Sequence, residues 1–175
     1  MSYKSLSYEN TAASVIRNLE KRNMTGYYCA TKEEAREKVL SLIPEGSSIT
    51  WGGTETMTQL GVFDAIREKN YELIDRATAK TPEESRALYA KMVCADYFLT
   101  SANAITLDGE IVNIDGNSNR VACIAYGPSH VIIAAGMNKL AANLDAAIAR
   151  VKTFACPPNA VRVGASTPCA RTGVC

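Results

Sequence analysis

The stretch SSITWGGTETMTQLG, residues 47–61, indicates the fold class because it joins a strand to a helix through two glycines. Residues 47–51 form a short run with β-branched and aromatic side chains, which is typical of a strand. The two glycines and the threonines after them let the chain turn and begin a helix. A strand that leads directly into a helix is the building unit of an α/β domain with a parallel sheet.

The same alternation extends in both directions from this stretch. Helices are predicted by apolar spacing or by start signals at five further places: residues 9–24, Thr31 with Glu34, Thr81 with Pro82 and Glu84, Asn119, and Asn138. Further strands are predicted at residues 26–30, 71–74, 96–101, 104–106, 110–114 and 130–136, the last as the clearest buried strand. The turn at Asp108-Gly109 predicts one antiparallel pairing. We therefore expect a three-layer α/β domain whose mixed sheet is mostly parallel and covered by helices on both sides.

Bulk composition limits the classes of function. The chain has 175 residues, 47% apolar and 21% charged, with 19 basic and 18 acidic side chains and a net charge of +1. A chain so balanced has no general attraction for a polyanion, which argues against nucleic-acid binding. No apolar run approaches the roughly 18 residues that a membrane span needs. The N-terminal residues lack an apolar signal-peptide core, so we expect a cytoplasmic protein.

Polar residues gather in three loops that follow predicted strands, where open α/β sheets bind ligands. In the first loop, Gly52 and Gly53 allow a close approach to a ligand, Thr54 and Thr56 add hydroxyl groups, and Glu55 is the candidate acid–base or nucleophilic residue. The loop lacks both the P-loop and the dinucleotide-binding patterns. The structural alternative is a plain strand-to-helix turn in which a threonine caps the helix.

The second and third loops carry hydroxyl, amide and charged groups. Ser101 and Asn103 could fix an oxyanion or only stabilise turns, and Asp115, Asn117, Asn119 and Arg120 follow the strand at 110–114. Gly116 is expected to take a positive φ. Arg120 either pairs with Asp115 or binds a carboxylate or phosphate. Lys139 is expected in the first turn of the last long helix, where a nearby anion would offset the unfavourable helix dipole. His130, the only histidine, is interpreted as structural.

Three segments carry a resemblance to a known family: WGGTET (51–56), TSANAITLDGEIVNIDGNSNRVACIAYGPSHVIIAAGMNKL (100–140) and NLDAAIARVKTFACPPNAVRV (143–163). They resemble the lactate-utilisation (LUD) domain family, also called YkgG- or LutC-like, over about residues 10–173. The resemblance implies a Rossmann-like fold similar to the NagB, ribose-phosphate isomerase and CoA-transferase group. The family pattern covers Gly52, Gly53, Thr54, Glu55, Asp108, Gly109, Gly116, Asn119, Arg120, Gly127, Pro128, Asn138 and Lys139. Family members commonly have Gly-Thr-Gly-Asn-Arg where this chain has Asn117 and Ser118 after Gly116.

The resemblance implies a component of L-lactate oxidation to pyruvate, acting beside iron–sulfur subunits. One hypothesis is that the loops form a cleft for a small anionic metabolite, with Arg120 and Lys139 as its cationic clamp. The alternative is a non-catalytic partner or assembly subunit of an iron–sulfur oxidoreductase, and a homo-oligomer is open in both. No cofactor can be assigned from the sequence.

The last twenty residues are treated separately. We expect a single domain at residues 1–155 and an irregular tail at 156–175, which contains Cys156, Cys169 and Cys175. The motif PCARTGVC (168–175) resembles the start of a cysteine-rich end found in part of the family, so we expect the chain to be truncated. The spacing of Cys169 and Cys175 is not that of a zinc site, and too few cysteines are present for a four-cysteine cluster, so we predict no metal.

Overall fold

The strand that precedes the two glycines, β1 (Ser48–Trp51), lies inside a four-stranded parallel sheet, sheet A. Its neighbours are β2 (Glu72–Ile74) and β3 (Tyr97–Thr100), and β6 (His130–Ile133) pairs with β3 to give the order β2-β1-β3-β6. The computed structural model describes residues 2–175. It divides into two compact units, and sheet A belongs to the unit formed by Cys29–Ser101 and Asp115–Ala135.

Helices cover both faces of sheet A within this unit, which we call the sheet A unit. One face carries Ile49 and Leu99, which pack against α2 (Lys32–Ser41), α3 (Glu55–Gln59) and α4 (Val62–Arg67). On the other face, Ile74 and Phe98 pack against α5 (Pro82–Val93) and α6 (Asn119–Ala125). Adjacent positions of a strand point to opposite faces, so β3 contributes Leu99 to one cluster and Phe98 to the other. The Rossmann-like α/β fold class with a mostly parallel sheet is therefore confirmed.

The second unit, the sheet B unit, comprises Met1–Tyr28, Ala102–Ile114 and Gly136–Cys175. Its strands are β4 (Ala104–Thr106), β5 (Ile111–Val112) and β7 (Leu140–Ala141), in the order β5-β4-β7. Its helices are α1 (Tyr3–Glu20), α7 (Leu144–Arg150), a π-helical turn (Val151–Ala155), α8 (Cys156–Arg162) and α9 (Pro168–Thr172). Ala104, Ala147 and Val151 form its buried cluster.

Several local predictions are confirmed by hydrogen bonds. Thr31 and Thr81 cap α2 and α5 through the backbone N–H groups of Glu34 and Glu84, both at 3.1 Å. β4 and β5 pair antiparallel, and Gly109 takes φ 84° in the turn between them. A Cβ at Gly109 would lie 3.0 Å from the backbone carbonyl carbon of Asn18, so the turn needs glycine for space as well as for its φ.

Four sequence predictions about secondary structure are wrong. Residues 26–30 form no strand, because Gly26 packs against Ile16 of α1 and the segment has no strand partner. Asn138 does not begin a long helix: it lies in a 3₁₀ turn (Met137–Lys139) before β7, which pairs with β4. Asn143 caps the helix that follows, through the N–H of Ala146 at 2.9 Å.

The other two errors concern β6 and the tail. β6 is an edge strand with His130 and Val131 exposed, because no strand lies beyond it in sheet A. Residues 156–175 are largely helical rather than irregular. Their prolines occupy the first turns of α8 and α9, where proline is favourable. Residues 1–155 as a single domain stays a prediction.

Within residues 2–175, no helix combines the length and the apolar character that crossing a bilayer requires.

Candidate functional site

The carboxyl ends of the four parallel strands form one edge of sheet A, which we call the carboxyl edge. β1 ends at Trp51 and β3 ends at Thr100, so Gly52 and Ser101 are the first residues beyond these neighbouring strands. Gly52 still donates its N–H to the Leu99 carbonyl at 3.2 Å, which holds the first predicted loop against β3. Open parallel sheets usually bind their ligands beyond the carboxyl ends of the strands.

Gly52 lets the side chain of Arg120 approach the end of β1. A Cβ on Gly52 would lie 3.3 Å from Phe98 Cζ, 3.4 Å from Thr100 Oγ1 and 3.5 Å from Arg120 Cγ. The first of these is tighter than an ordinary van der Waals contact, so an alanine here would require the Phe98 ring to shift slightly. The structure thus brings the Trp51-Gly52 loop and Arg120 together, although they are far apart in the sequence.

The threonines of the first loop have structural partners. Thr54 is buried and caps α3, since its Oγ1 accepts the N–H of Met57 at 3.3 Å. The Thr56 and Ser101 hydroxyl oxygens lie 3.3 Å apart, and Ser101 Oγ donates to the Ala134 carbonyl at 2.6 Å. Because the single hydrogen of Ser101 points to that carbonyl, Thr56 is the donor between the two hydroxyl groups. This chain of bonds ties the ends of β3 and β6 to α3.

Glu55 and Gly53 lie on the exposed side of the same loop. Glu55 is the first residue of α3, and its carboxylate accepts a hydrogen bond from Gln59 Nε2 at 3.2 Å. Gly53 is exposed between two buried neighbours, Gly52 and Thr54. These two residues are therefore the parts of the loop that solvent reaches most easily.

Arg120 forms an ion pair with Asp115, which is one of the two alternatives that the sequence left open. Asp115 Oδ1 accepts from Arg120 Nε at 2.7 Å and from Nη2 at 2.5 Å, and Arg120 Nη1 donates to the Ser101 carbonyl at 3.4 Å. The other carboxylate oxygen accepts the N–H of Val121 at 2.7 Å, in the first turn of α6. The Asp115 and Arg120 side chains are only 9% and 12% exposed. The pair thus holds the guanidinium beside Gly52.

Two details of the third loop differ from expectation. Asn119 is the first residue of α6 rather than its cap. The carboxylate of Asp115 acts as the cap instead, because it accepts the N–H of Val121 in the first turn. The left-handed backbone conformation lies at Ser118, with φ 57°, and not at Gly116. Ser118 stands where the family commonly has its second glycine, which is the residue that this conformation favours. Asn117 is exposed in this loop.

Asn103 and Lys139 belong to the sheet B unit. The Asn103 side-chain oxygen accepts the N–H of Ile114 at 2.9 Å and so braces the hairpin. Lys139 lies in the 3₁₀ turn before β7, so its expected position in the first turn of a long helix is wrong. The physical reason is that the edge of β4 pairs with Leu140 and Ala141 and delays the helix to Leu144.

Sequence reasoning missed Arg76, which begins the 3₁₀ turn directly after β2. The sequence did offer a signal, because Arg76 lies two residues beyond the predicted strand at 71–74. The other loops were selected for the same reason, namely that polar or charged residues follow a predicted strand. Burial raises the pKa of the Cys123 thiol in α6, while the charge of Arg76 lowers it and that of Asp115 raises it further. Both charges therefore act at one buried thiol next to the Asp115–Arg120 pair.

At the opposite end of sheet A, where the strands begin, lie His130 and the hydrogen-bonded side chains of Ser48 and Asp96. The His130 ring stacks on Tyr97 with ring centroids 4.8 Å apart. Asp96 accepts both the N–H and the hydroxyl of Ser48 at 2.8 Å, and these bonds hold the pKa of its carboxyl below the ordinary value. In the range 2–175, no three His, Cys, Asp or Glu side chains lie together as a possible metal site.

Comparison with known proteins places the chain in a family. The model of the LUD domain matches residues 12–174, which is nearly the whole chain. Among curated proteins and among solved structures, none matches this chain. The matched range includes the loop with Gly52 and Gly53, the Asp115–Arg120 pair and the helices α8 and α9. On this evidence the protein belongs to the LUD domain family.

Proposed function

We propose that the carboxyl edge of sheet A binds a small anionic metabolite, and that the protein is a component of L-lactate oxidation to pyruvate. The LUD domain family supports the lactate-utilisation context. The observation that carries the binding site is the contact of Arg120 with Gly52, with the Ser101 and Thr56 hydroxyl groups at the ends of the neighbouring elements. A guanidinium at the end of a parallel sheet is a group that binds a carboxylate.

In this proposal the loop residues have different tasks. Asp115 orients Arg120, and the exposed Gly53 allows the ligand to approach the backbone. Asn117 and Asn119 are proposed to contribute polar contacts. Glu55 is the proposed acid–base residue, because its exposed carboxylate begins α3 next to the glycines. Oxidation of L-lactate removes two electrons and two protons from its hydroxyl-bearing carbon and hydroxyl group. Glu55 would accept the hydroxyl proton, and the electrons and remaining proton would pass to an iron–sulfur oxidoreductase partner.

Titration of the purified protein with L-lactate and pyruvate tests the binding. Trp51, the only tryptophan, immediately precedes Gly52, so its fluorescence should respond to a ligand at the carboxyl edge. We expect saturable changes with L-lactate and pyruvate but none with an equal concentration of sodium chloride. Glu55→Gln should retain binding and lose lactate oxidation in the assembled system. Absence of any saturable response to either carboxylate would contradict the proposed site.

A second candidate function is that of a partner subunit in an iron–sulfur oxidoreductase. The observation that favours it is the exposed apolar surface of the C-terminal segment, where Phe154, Val161 and Val163 are 73%, 63% and 58% exposed. A contiguous exposed apolar patch is typical of a surface that contacts another protein, and these three side chains lie close together in the sequence. Removal of the tail before Cys156 would also remove the buried Pro157 and Ala160, so it would damage the unit itself.

Point variants at exposed positions can test the proposed partner contact without removing buried residues. Phe154→Ser combined with Val161→Ser should reduce recovery of iron–sulfur subunits from cells that express the whole system. A matched pair of changes at exposed apolar residues of α1, Tyr3→Ser and Leu6→Ser, is the control. Light scattering of the purified protein would reveal whether the same segment instead joins two copies of this chain. Equal recovery with both double variants would count against the partner surface.

A further inference from the structure

The carboxyl edge has two arginines, Arg120 and Arg76, and in the described part of the chain only Arg120 of the two forms an ion pair with a carboxylate. Asp115 is bound so closely to Arg120 that this pair is neutral as a unit. Arg76 adds a second guanidinium, at the end of the neighbouring strand β2. Its sequence neighbour Asp75 uses a carboxylate oxygen to accept the N–H of Ala77 at 2.9 Å, which begins the 3₁₀ turn. Arg76 therefore adds a guanidinium to this edge that no carboxylate in the described range contacts in an ion pair, in contrast to Arg120.

Arg76 lies on the same face of sheet A as Arg120. Ile74, the last residue of β2, packs in one buried cluster with Phe98 and Cys123. Cys123 follows Arg120 by three positions in α6, so the two project from the same side of that helix. The charges of Arg76 and Asp115 both act at the Cys123 thiol. These relations bring Arg76, Asp115 and Arg120 around one point of the sheet A unit.

The Arg76 side chain has no hydrogen-bonded or ion-paired partner among residues 2–175, although the residue is partly buried. A guanidinium that is partly removed from water without a counterion is held at a cost in free energy. An anion that binds there would recover that cost and would form charge-assisted hydrogen bonds. By contrast, Arg67, whose side chain is 54% exposed, already pairs with Asp64 at 3.2 Å.

We infer that Arg76 is the residue that binds the negative charge of the ligand and selects a monocarboxylate, whereas Arg120 shapes the site as a neutralised pair. This inference rests on the proposed function, because it concerns the same edge of sheet A. A guanidinium without a side-chain partner can bind one carboxylate through charge-assisted hydrogen bonds, and the carboxylates of Asp75 and Glu55 at the same edge disfavour a second negative charge on the ligand. The ligand class is thus a small monocarboxylate such as a 2-hydroxy or 2-oxo acid, and not a phosphate ester with two charges.

The test compares the wild-type protein with Arg76→Gln, Arg76→Lys and the control Arg67→Gln. The probes are L-lactate, its neutral amide L-lactamide, pyruvate and inorganic phosphate, and the readouts are Trp51 fluorescence and the shift of the unfolding midpoint on ligand addition. Loss of a hydrogen-bonded charge contact weakens affinity by about ten- to a hundredfold. We expect Arg76→Gln to weaken L-lactate binding by that factor, to leave weak L-lactamide binding unchanged, and not to lower the unfolding midpoint measured without ligand. Arg76→Lys should bind with intermediate affinity, and Arg67→Gln like the wild type.

The outcomes separate this inference from the proposed function. If the wild type binds L-lactate and Arg76→Gln binds it equally well, Arg76 is not the anion-binding residue, while the site at the carboxyl edge stands. If phosphate binds the wild type more tightly than both carboxylates, the assignment to a monocarboxylate is wrong. If the wild type binds no carboxylate, the proposed function fails first and this inference with it.

Discussion

Removal of Asp115 should be among the most destabilising single changes in the sheet A unit. Its carboxylate accepts hydrogen bonds from Arg120 Nε and Nη2 and from the N–H of Val121, all within 2.7 Å. Asp115→Ala would leave the guanidinium, in a side chain that is 12% exposed, without its counterion. Breaking one partner of such a buried pair costs about 3–5 kcal/mol. The lost bond to α6 acts like a lost helix cap, at about 1 kcal/mol, and is included in that range.

A double-mutant cycle separates the ion pair from the cap. Arg120→Met combined with Asp115→Ala removes both charges, so its cost should fall to about 1–2 kcal/mol, because only the cap and some packing are lost. The costs of the two single changes should therefore sum to at least about 1 kcal/mol more than the cost of the double variant, and this excess is the coupling free energy. Urea unfolding followed by Trp51 fluorescence measures these values, since Trp51 belongs to the same unit.

The exposed pair of Asp64 and Arg67 provides the matched control. Their side chains are 85% and 54% exposed, with a nitrogen-to-oxygen distance of 3.2 Å. Asp64→Ala should cost less than about 1 kcal/mol, as exposed pairs do. If Asp115→Ala costs no more than Asp64→Ala, or if the coupling free energy is close to zero, the reasoning about the buried pair is refuted.

Three further predictions concern backbone strain, close packing and pH. Ser118→Gly should raise the free energy of unfolding by about 0.5–1 kcal/mol, because φ 57° strains a residue with a side chain; a lower urea midpoint would contradict this. Gly52→Ala should cost about 1–3 kcal/mol in the same assay, since its Cβ would crowd Phe98, whereas Gly116→Ala, with no atom within 4 Å, should be nearly neutral. Ser48→Ala should destabilise by about 1 kcal/mol at neutral pH, because it removes the hydrogen bonds to Asp96. The lowered pKa of Asp96 means that its contribution is complete above the ordinary carboxyl pKa of 3.8 and is lost as the pH falls below it, so unfolding curves of wild type and variant should converge in acid.

Local signals predicted the parts of this fold that depend on residues close in the sequence. The helices that begin after Thr31 and Thr81 were predicted correctly, because a capping threonine and the N–H that it binds are three residues apart. The hairpin at Gly109 was predicted for the same reason, since the turn itself fixes the pairing. The ion pair of Asp115 with Arg120 spans five positions and was one of two stated alternatives.

Predictions failed where a distant segment decides the structure. Residues 26–30 have the composition of a strand, but a strand needs a partner, and Gly26 packs on α1 instead. The 130–136 run is as apolar as a central strand, yet its position at the edge of sheet A leaves His130 exposed. Leu140 and Ala141 follow the helical pattern of the next segment but pair with β4.

The sequence by itself determined the α/β class, the two capping boxes and the polar loops, because each depends on side-chain periodicity or on groups a few residues apart. Only the tertiary structure decided that Gly52 packs beside Arg120, that Asp115 neutralises it, and that Arg76 stands at the end of the neighbouring strand. The physical reason is that strand order in a parallel sheet is set by which buried faces and edges pair across long distances in the chain, and no local pattern of residues encodes that choice.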